Sequence, residues 1–110
     1  MSTPLENLPE IRSFAETSDE AGSIRLNGGM YFPLPEGVST ISVSMKTGNA
    51  TVYLATSASS GGRFWSTAVE TGESRVIPGV AVPKGAERFL NIRTNGGPHD
   101  VGVTIITYPL

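Results

Sequence analysis

The stretch Val38 to Ser57, VSTISVSMKTGNATVYLATS, limits what this 110-residue chain can fold into more than any other part of it. Ile41, Val43 and Met45 alternate with Thr40, Ser42 and Ser44. Side chains on a strand point to opposite faces in turn, so this half reads as a strand with one dry and one wet face. The half from Thr51 to Thr56 repeats the pattern, with Val52 and Leu54 on one face and Thr51, Tyr53 and Ala55 on the other. Lys46-Thr47-Gly48-Asn49-Ala50 lies between them and holds the residue types that accept positive φ. The pattern predicts a β-hairpin. A lone hairpin is barely stable in water, so further strands must cover its dry face.

The rest of the chain is built to supply those strands. Ser, Thr, Gly and Pro make up 44 of the 110 residues, too many turn formers for a helical bundle. Ser23 to Leu26 alternates and runs into the turn Asn27-Gly28-Gly29. Met30 to Leu34 contains Pro33, which cannot donate to a ladder and marks an edge or a strand end. Arg63 to Ser66 holds the single tryptophan, Trp65, after the small-residue loop Ala58 to Gly62. Pro78-Gly79 is expected to break Ser74 to Val82 into two short pieces. Glu87 to Thr94 alternates again. The last strand, Asp100 to Tyr108, sets Val101, Val103 and Ile105 on one face and Ile106 and Tyr108 on the other, so its end is expected to be covered on both sides. The sum is an all-β fold, an antiparallel β-sandwich of about eight strands with a short N-terminal arm or helix. Strand spacing leaves a jelly-roll and an immunoglobulin-like order both open. Ile24-Arg25-Leu26-Asn27-Gly28-Gly29 and Ile92-Arg93-Thr94-Asn95-Gly96-Gly97 match at all but one position. Common turn chemistry explains that echo better than a duplicated half-sandwich.

Residues 1–20 form the arm and residues 21–110 the sandwich domain. Leu5, Leu8, Ile11 and Phe14 recur every three residues, and Pro9 suits the first turn of a short helix ending near Ala15. Such a helix needs a surface to lie on, either the chain's own sandwich or a neighbouring subunit. Charge is uneven: the arm holds Glu6, Glu10, Glu16, Asp19 and Glu20 against Arg12, whereas the body is faintly basic and the whole chain carries a net charge of -2. Only two lysines occur, Lys46 and Lys84, and no basic run appears, which argues against a nucleic-acid partner. Met1-Ser2-Thr3-Pro4 has neither a basic region nor an apolar core of a secretory leader, and no run has the length of a membrane span. The expectation from these features is therefore no membrane partner and a cytoplasmic location.

Catalytic chemistry finds little purchase. The chain has no cysteine, which removes thiol nucleophiles and Cys-ligated metal. His99 beside Asp100 could in principle serve as an acid/base pair or a metal ligand, but metal sites need three or four converging ligands and no second histidine exists. A solvent-exposed turn histidine is the expectation. No serine sits in a G-x-S-x-G elbow, and Ser59-Ser60-Gly61-Gly62 lacks the Lys-Ser/Thr end of a phosphate loop. No cofactor is expected. Trp65 and Tyr31 could stack on sugar rings, although a core or subunit-interface position is the first expectation for Trp65.

Pro4 and Pro9 in the arm, the cysteine-free Ser/Thr/Gly-rich body, the Asn-Gly-Gly turns and the short tail Tyr108-Pro109-Leu110 together give a chain that resembles the small β-sandwich accessory proteins of tailed-phage virions, such as capsid decoration or cement proteins and tail or fibre subunits. The resemblance is one of texture over the whole chain and transfers no residue by position. It implies a homo-oligomer, often a trimer, bound to a larger protein lattice in the virion. The expected function is a non-enzymatic structural and interaction protein, with Leu5, Leu8, Ile11, Phe14, Tyr53, Ile106 and Tyr108 as interface candidates. The alternatives are a carbohydrate-binding module using Trp65 and Tyr31, and a small metal-dependent enzyme around His99 and Asp100.

Overall fold

A computed structural model describes residues 8–19, 22–95 and 97–110. Among these residues the chain forms nine strands: β1 (Glu10–Ser18), β2 (Gly22–Ser23), β3 (Phe32–Pro33), β4 (Gly37–Thr47), β5 (Ala50–Ala55), β6 (Arg63–Val69), β7 (Ser74–Val82), β8 (Phe89–Thr94) and β9 (His99–Pro109). They make two sheets, ordered β1-β9-β4-β7 and β2-β8-β5-β6, with β3 also on β8. Every pairing is antiparallel. The all-β sandwich expected from the sequence is what forms.

The strand order decides between the two topologies. Counting β2 and β3 as one interrupted strand, the first pairs with the last, the second with the next to last, β4 with β7 and β5 with β6. Strand pairs nested in this way and folded over into two sheets make a jelly roll.

The predicted hairpin at Val38 to Ser57 does not form. β4 and β5 lie in different sheets, and residues 46–49 carry the chain across the sandwich. Alternation could not reveal this, because a strand has the same period whether its neighbour in sequence lies beside it or opposite it. The dry faces do meet, but across the core: Ile41, Val43 and Met45 oppose the sheet that holds Ala50, Val52 and Leu54, and all are buried. Three features set the crossing. Lys46 is an extra residue in β4, where the register against β9 slips between Met45 and Thr47. Gly48 has φ +79°, and a Cβ there would lie 2.8 Å from the Pro98 carbonyl oxygen. Asn49 Oδ1 accepts hydrogen bonds from the N–H and the hydroxyl of Thr71, both at 2.9 Å, which ties this turn to the one between β6 and β7.

Of the readings open for the arm, extended or helical, the structure shows the extended one over Glu10 to Ser18. Glu10 to Ser18 pairs along its whole length with β9, from Glu10 opposite Thr107 to Ser18 opposite His99. The three-residue spacing of Leu8, Ile11 and Phe14 therefore splits between faces: Ile11 is exposed on the outer side, whereas Phe14 turns inward and meets the Phe32 ring edge-on at 5.2 Å. A free sheet edge offers nine residues of backbone partners, and a short helix with one narrow apolar stripe cannot match that. Ser74 to Val82 is likewise one strand instead of two pieces. Pro78-Gly79 is absorbed as a bulge opposite Ser39 to Ile41, which an edge strand tolerates. The echoing segments lie side by side, with the Ile24 N–H donating to the Ile92 carbonyl at 2.9 Å. Among the described residues no helix is long and apolar enough to cross a membrane.

Candidate binding cleft

A sandwich closed by nested pairing still has two lateral openings, one where β6 and β7 are the sheet edges and one where β1 and β2 are. The first holds a cleft of about 620 Å³, walled by β6 and β7, with Arg88 entering from the segment before β8. Leu54 and Ile77, both buried, contribute to its base.

A bulge in β6 builds the aromatic wall. Trp65 pairs with Leu54 and therefore projects toward the space between the sheets, but Ala55 pairs with Arg63, so Phe64 is an extra residue with no partner of its own. In a regular strand Phe64 and Trp65 would point to opposite faces. The bulge re-aims them, and both line the cleft. Trp65 is 40% exposed and Phe64 56% exposed. Of the core or subunit-interface position expected for Trp65, the core part is thus corrected: β6 is an edge strand, and among the described residues no further strand lies over the indole.

The opposite wall is β7 with its own bulge. It contributes Arg75, the exposed Val76, and the Pro78-Gly79 kink. The Arg88 guanidinium stands 5.8 Å from the Phe64 ring centre, a cation–π contact, and donates to the Glu87 carbonyl at 2.8 Å. Arg75 meets the Glu73 carboxylate at 3.5 Å in an exposed ion pair. Among the described residues no acid lines the cleft.

Tyr31 is not brought to Trp65. It lines a second depression of about 480 Å³ at the other lateral opening, together with Glu10, Arg12 and Pro33. Tyr53 lies on the outer face of the second sheet, half-buried beneath the Arg63 guanidinium at 3.9 Å. That arginine donates to Asn91 Oδ1 at 2.8 Å, and the fully buried Asn91 amide donates in turn to the Met30 carbonyl at 2.8 Å and the Ser23 hydroxyl at 3.1 Å. Asn91 thus brackets the interruption between β2 and β3.

The interface candidates divide between locations. Ile11 and Ile106 are cross-strand neighbours on the outer face of the first sheet, and Tyr108 lies beside Val38 on the same face. Ile11, Tyr108 and Val38 are exposed and Ile106 is half-buried, so the end of β9 is open on its outer side. Leu8 is exposed, and Leu5 lies outside the described residues.

His99 is buried at 3% exposure, not a solvent-exposed turn residue. It begins β9 opposite Ser18 and faces inward, where Nε2 lies 3.8 Å from Glu16 Oε1 and neither ring nitrogen has a hydrogen-bond partner. Asp100 points the other way and accepts from the Thr17 hydroxyl at 3.3 Å. Neighbours on one strand that face opposite sides cannot act on one proton or one metal ion. Among the described residues no group of three or more potential metal ligands occurs.

Fold and cleft together define a jelly-roll sandwich with an aromatic, arginine-flanked groove between its edge strands. No protein-family model matches the chain, and no curated protein matches it. Among solved structures it is similar to one described as "Crystal structure of PirA", at 14% identity over 91% of this chain and 94% of that one, with a TM-score of 0.44.

Proposed function

We propose that the protein is a non-enzymatic interaction protein that self-associates and docks on a larger assembly through the outer face of the β1-β9-β4-β7 sheet. One observation carries this reading. Ile11, Ser13 and Ala15 of β1 lie beside Ile106, Thr104 and Gly102 of β9, which lie beside Thr40, Ser42 and Ser44 of β4. No charged residue interrupts these rows, and Val38, Tyr108 and Val76 extend them with exposed apolar surface. A flat face of hydroxyl, methyl and aromatic groups excludes water against a copy of itself at little desolvation cost, and depletion of charge is what marks the centre of an interface. The virion setting and a trimeric state belong to the same proposal and rest on the sequence resemblance alone. Sedimentation of the full chain tests it. A homo-oligomer is expected, with Ile106→Lys shifting it to monomer while its melting temperature stays within a few degrees. A wild-type monomer at high concentration overturns the reading.

A second reading, a carbohydrate-binding module, is favoured by the exposure of Trp65 and Phe64 on one wall of an open cleft. Exposed aromatic faces stack on the C–H faces of sugar rings. The residues proposed for this role are Trp65 and Phe64, without Tyr31.

A further inference from the structure

The cleft between β6 and β7 has a charge that aromatic stacking on a neutral sugar does not call for. The chain as a whole is negative, at -2. The cleft lining is the reverse, with Arg75 and Arg88 and, among the described residues, no acid. Both arginines are partly buried as residues where they line the cleft. Arg88 is held by one carbonyl and by the Phe64 ring. A guanidinium has five N–H donors in a planar fork, far more than one carbonyl occupies. Arg75 has Glu73 as its neighbour at 3.5 Å, but both side chains are 42% exposed, and an exposed pair of this kind is weak and open to exchange. The cleft thus offers an aromatic platform, two fork-shaped donors and a volume suited to a small ligand.

We infer that the cleft binds an anionic saccharide, with a sugar's C–H face against Trp65 and its acidic groups taken by the arginines of the lining, Arg88 beside Phe64 and Arg75 on β7. The inference rests on the carbohydrate-binding reading and adds the charge of the ligand to it. The anion is a carboxylate in a hexuronate or a sulfate ester in a sulfated sugar. Both present two or three acceptor oxygens at the rim of the ring, the geometry a guanidinium fork meets with paired hydrogen bonds. A neutral sugar would leave both guanidinium groups without that partner.

Trp65 is the single tryptophan, so its fluorescence reports from the cleft itself. The full chain is titrated with an oligogalacturonate, with the same oligosaccharide fully methyl-esterified, and with a sulfated oligosaccharide of equal length. Calorimetry gives the affinities in parallel. The acid or the sulfate ester is expected to bind about tenfold or more tighter than the methyl ester, as loss of a charge-assisted hydrogen bond implies. That affinity should fall as salt rises. Arg88→Gln and Arg75→Gln should each weaken the anionic ligand and leave the methyl ester unchanged, and Trp65→Ala should weaken both by calorimetry. Binding of only one anionic ligand supports the proposal and identifies the anion. Equal binding of acid and methyl ester overturns it while leaving the carbohydrate-binding reading in place. No binding of any of the three overturns both. The wild-type comparison of acid with ester decides the matter even where a variant fails to fold.

Discussion

Gly48→Ala tests the crossing between the sheets most directly. The residue has φ +79°, in the left-handed region, and a Cβ there would approach the Pro98 carbonyl oxygen to 2.8 Å and His99 Cβ to 3.2 Å. An L-residue in the left-handed region costs roughly 1–2 kcal/mol. The contact adds to this, because the obstacle at 2.8 Å is backbone that leads straight into β9, and overpacking of that kind costs about 1–3 kcal/mol. The expected loss is about 2–5 kcal/mol, against a total stability of roughly 5–15 kcal/mol for a single domain. Gly72→Ala is the internal control: its φ is +83°, but a Cβ there meets nothing within 4 Å. It should lose only the conformational part, about 1–2 kcal/mol. Urea unfolding of the wild type and both variants, with m held common, gives the difference between the two losses as the steric part. Equal losses would show that residues 46–49 do not pack on residues 98–99, and the route of the chain from β4 to β5 would have to be redrawn.

Ile92→Ala should cost about 2–5 kcal/mol in the same assay, since Ile92 is fully buried in the core cluster, whereas Met30→Ala at an exposed position should stay within about 0.5 kcal/mol. Asn91→Ala should cost about 1–3 kcal/mol, because it strands the Met30 carbonyl and one Arg63 donor, and hydrogen exchange should rise across residues 24–31. His99→Leu should leave stability unchanged or raise it, because the side chain is buried and its ring nitrogens make no hydrogen bond, the Glu16 carboxylate standing off at 3.8 Å. A loss of more than about 2 kcal/mol there would reveal a bond to the imidazole that the geometry lacks.

Individual strands were legible in the sequence because burial on one face imposes a period of two on each. Ile41-Val43-Met45 and Val101-Val103-Ile105 follow it and are buried to the last residue. Pairing was not legible, because the same period serves a neighbour in the sheet and a neighbour across the core. Hence the false hairpin at residues 46–49. The strand character of Glu10 to Ser18 was hidden for another reason: an edge strand has two partly wet faces, so Ile11, Ala15 and Phe14 show no clean alternation. The cleft was half legible. Phe64-Trp65 marked its aromatic wall, but Arg75 and Arg88 reach it only through the folding-over of the two sheets, and nothing local to either arginine announces that.

The nesting of the strand pairs also dictates an order of assembly. Ser13 and Thr104, whose hydroxyls lie 3.4 Å apart across β1 and β9, are separated by 91 positions in the chain. Ala55 and Arg63 at the inner end of the nest are joined by a loop with its own hydrogen bond from Thr56 to Gly62 at 2.9 Å. Closing the short loop first and the longest last is the route of least entropy loss. On a ribosome β1 emerges before the other eight strands and must wait, its ladder partner absent, until β9 has followed them out. A nascent chain halted before β9 is therefore the form most prone to cling to other chains through that unpaired edge, and chaperone capture should be greatest at that length.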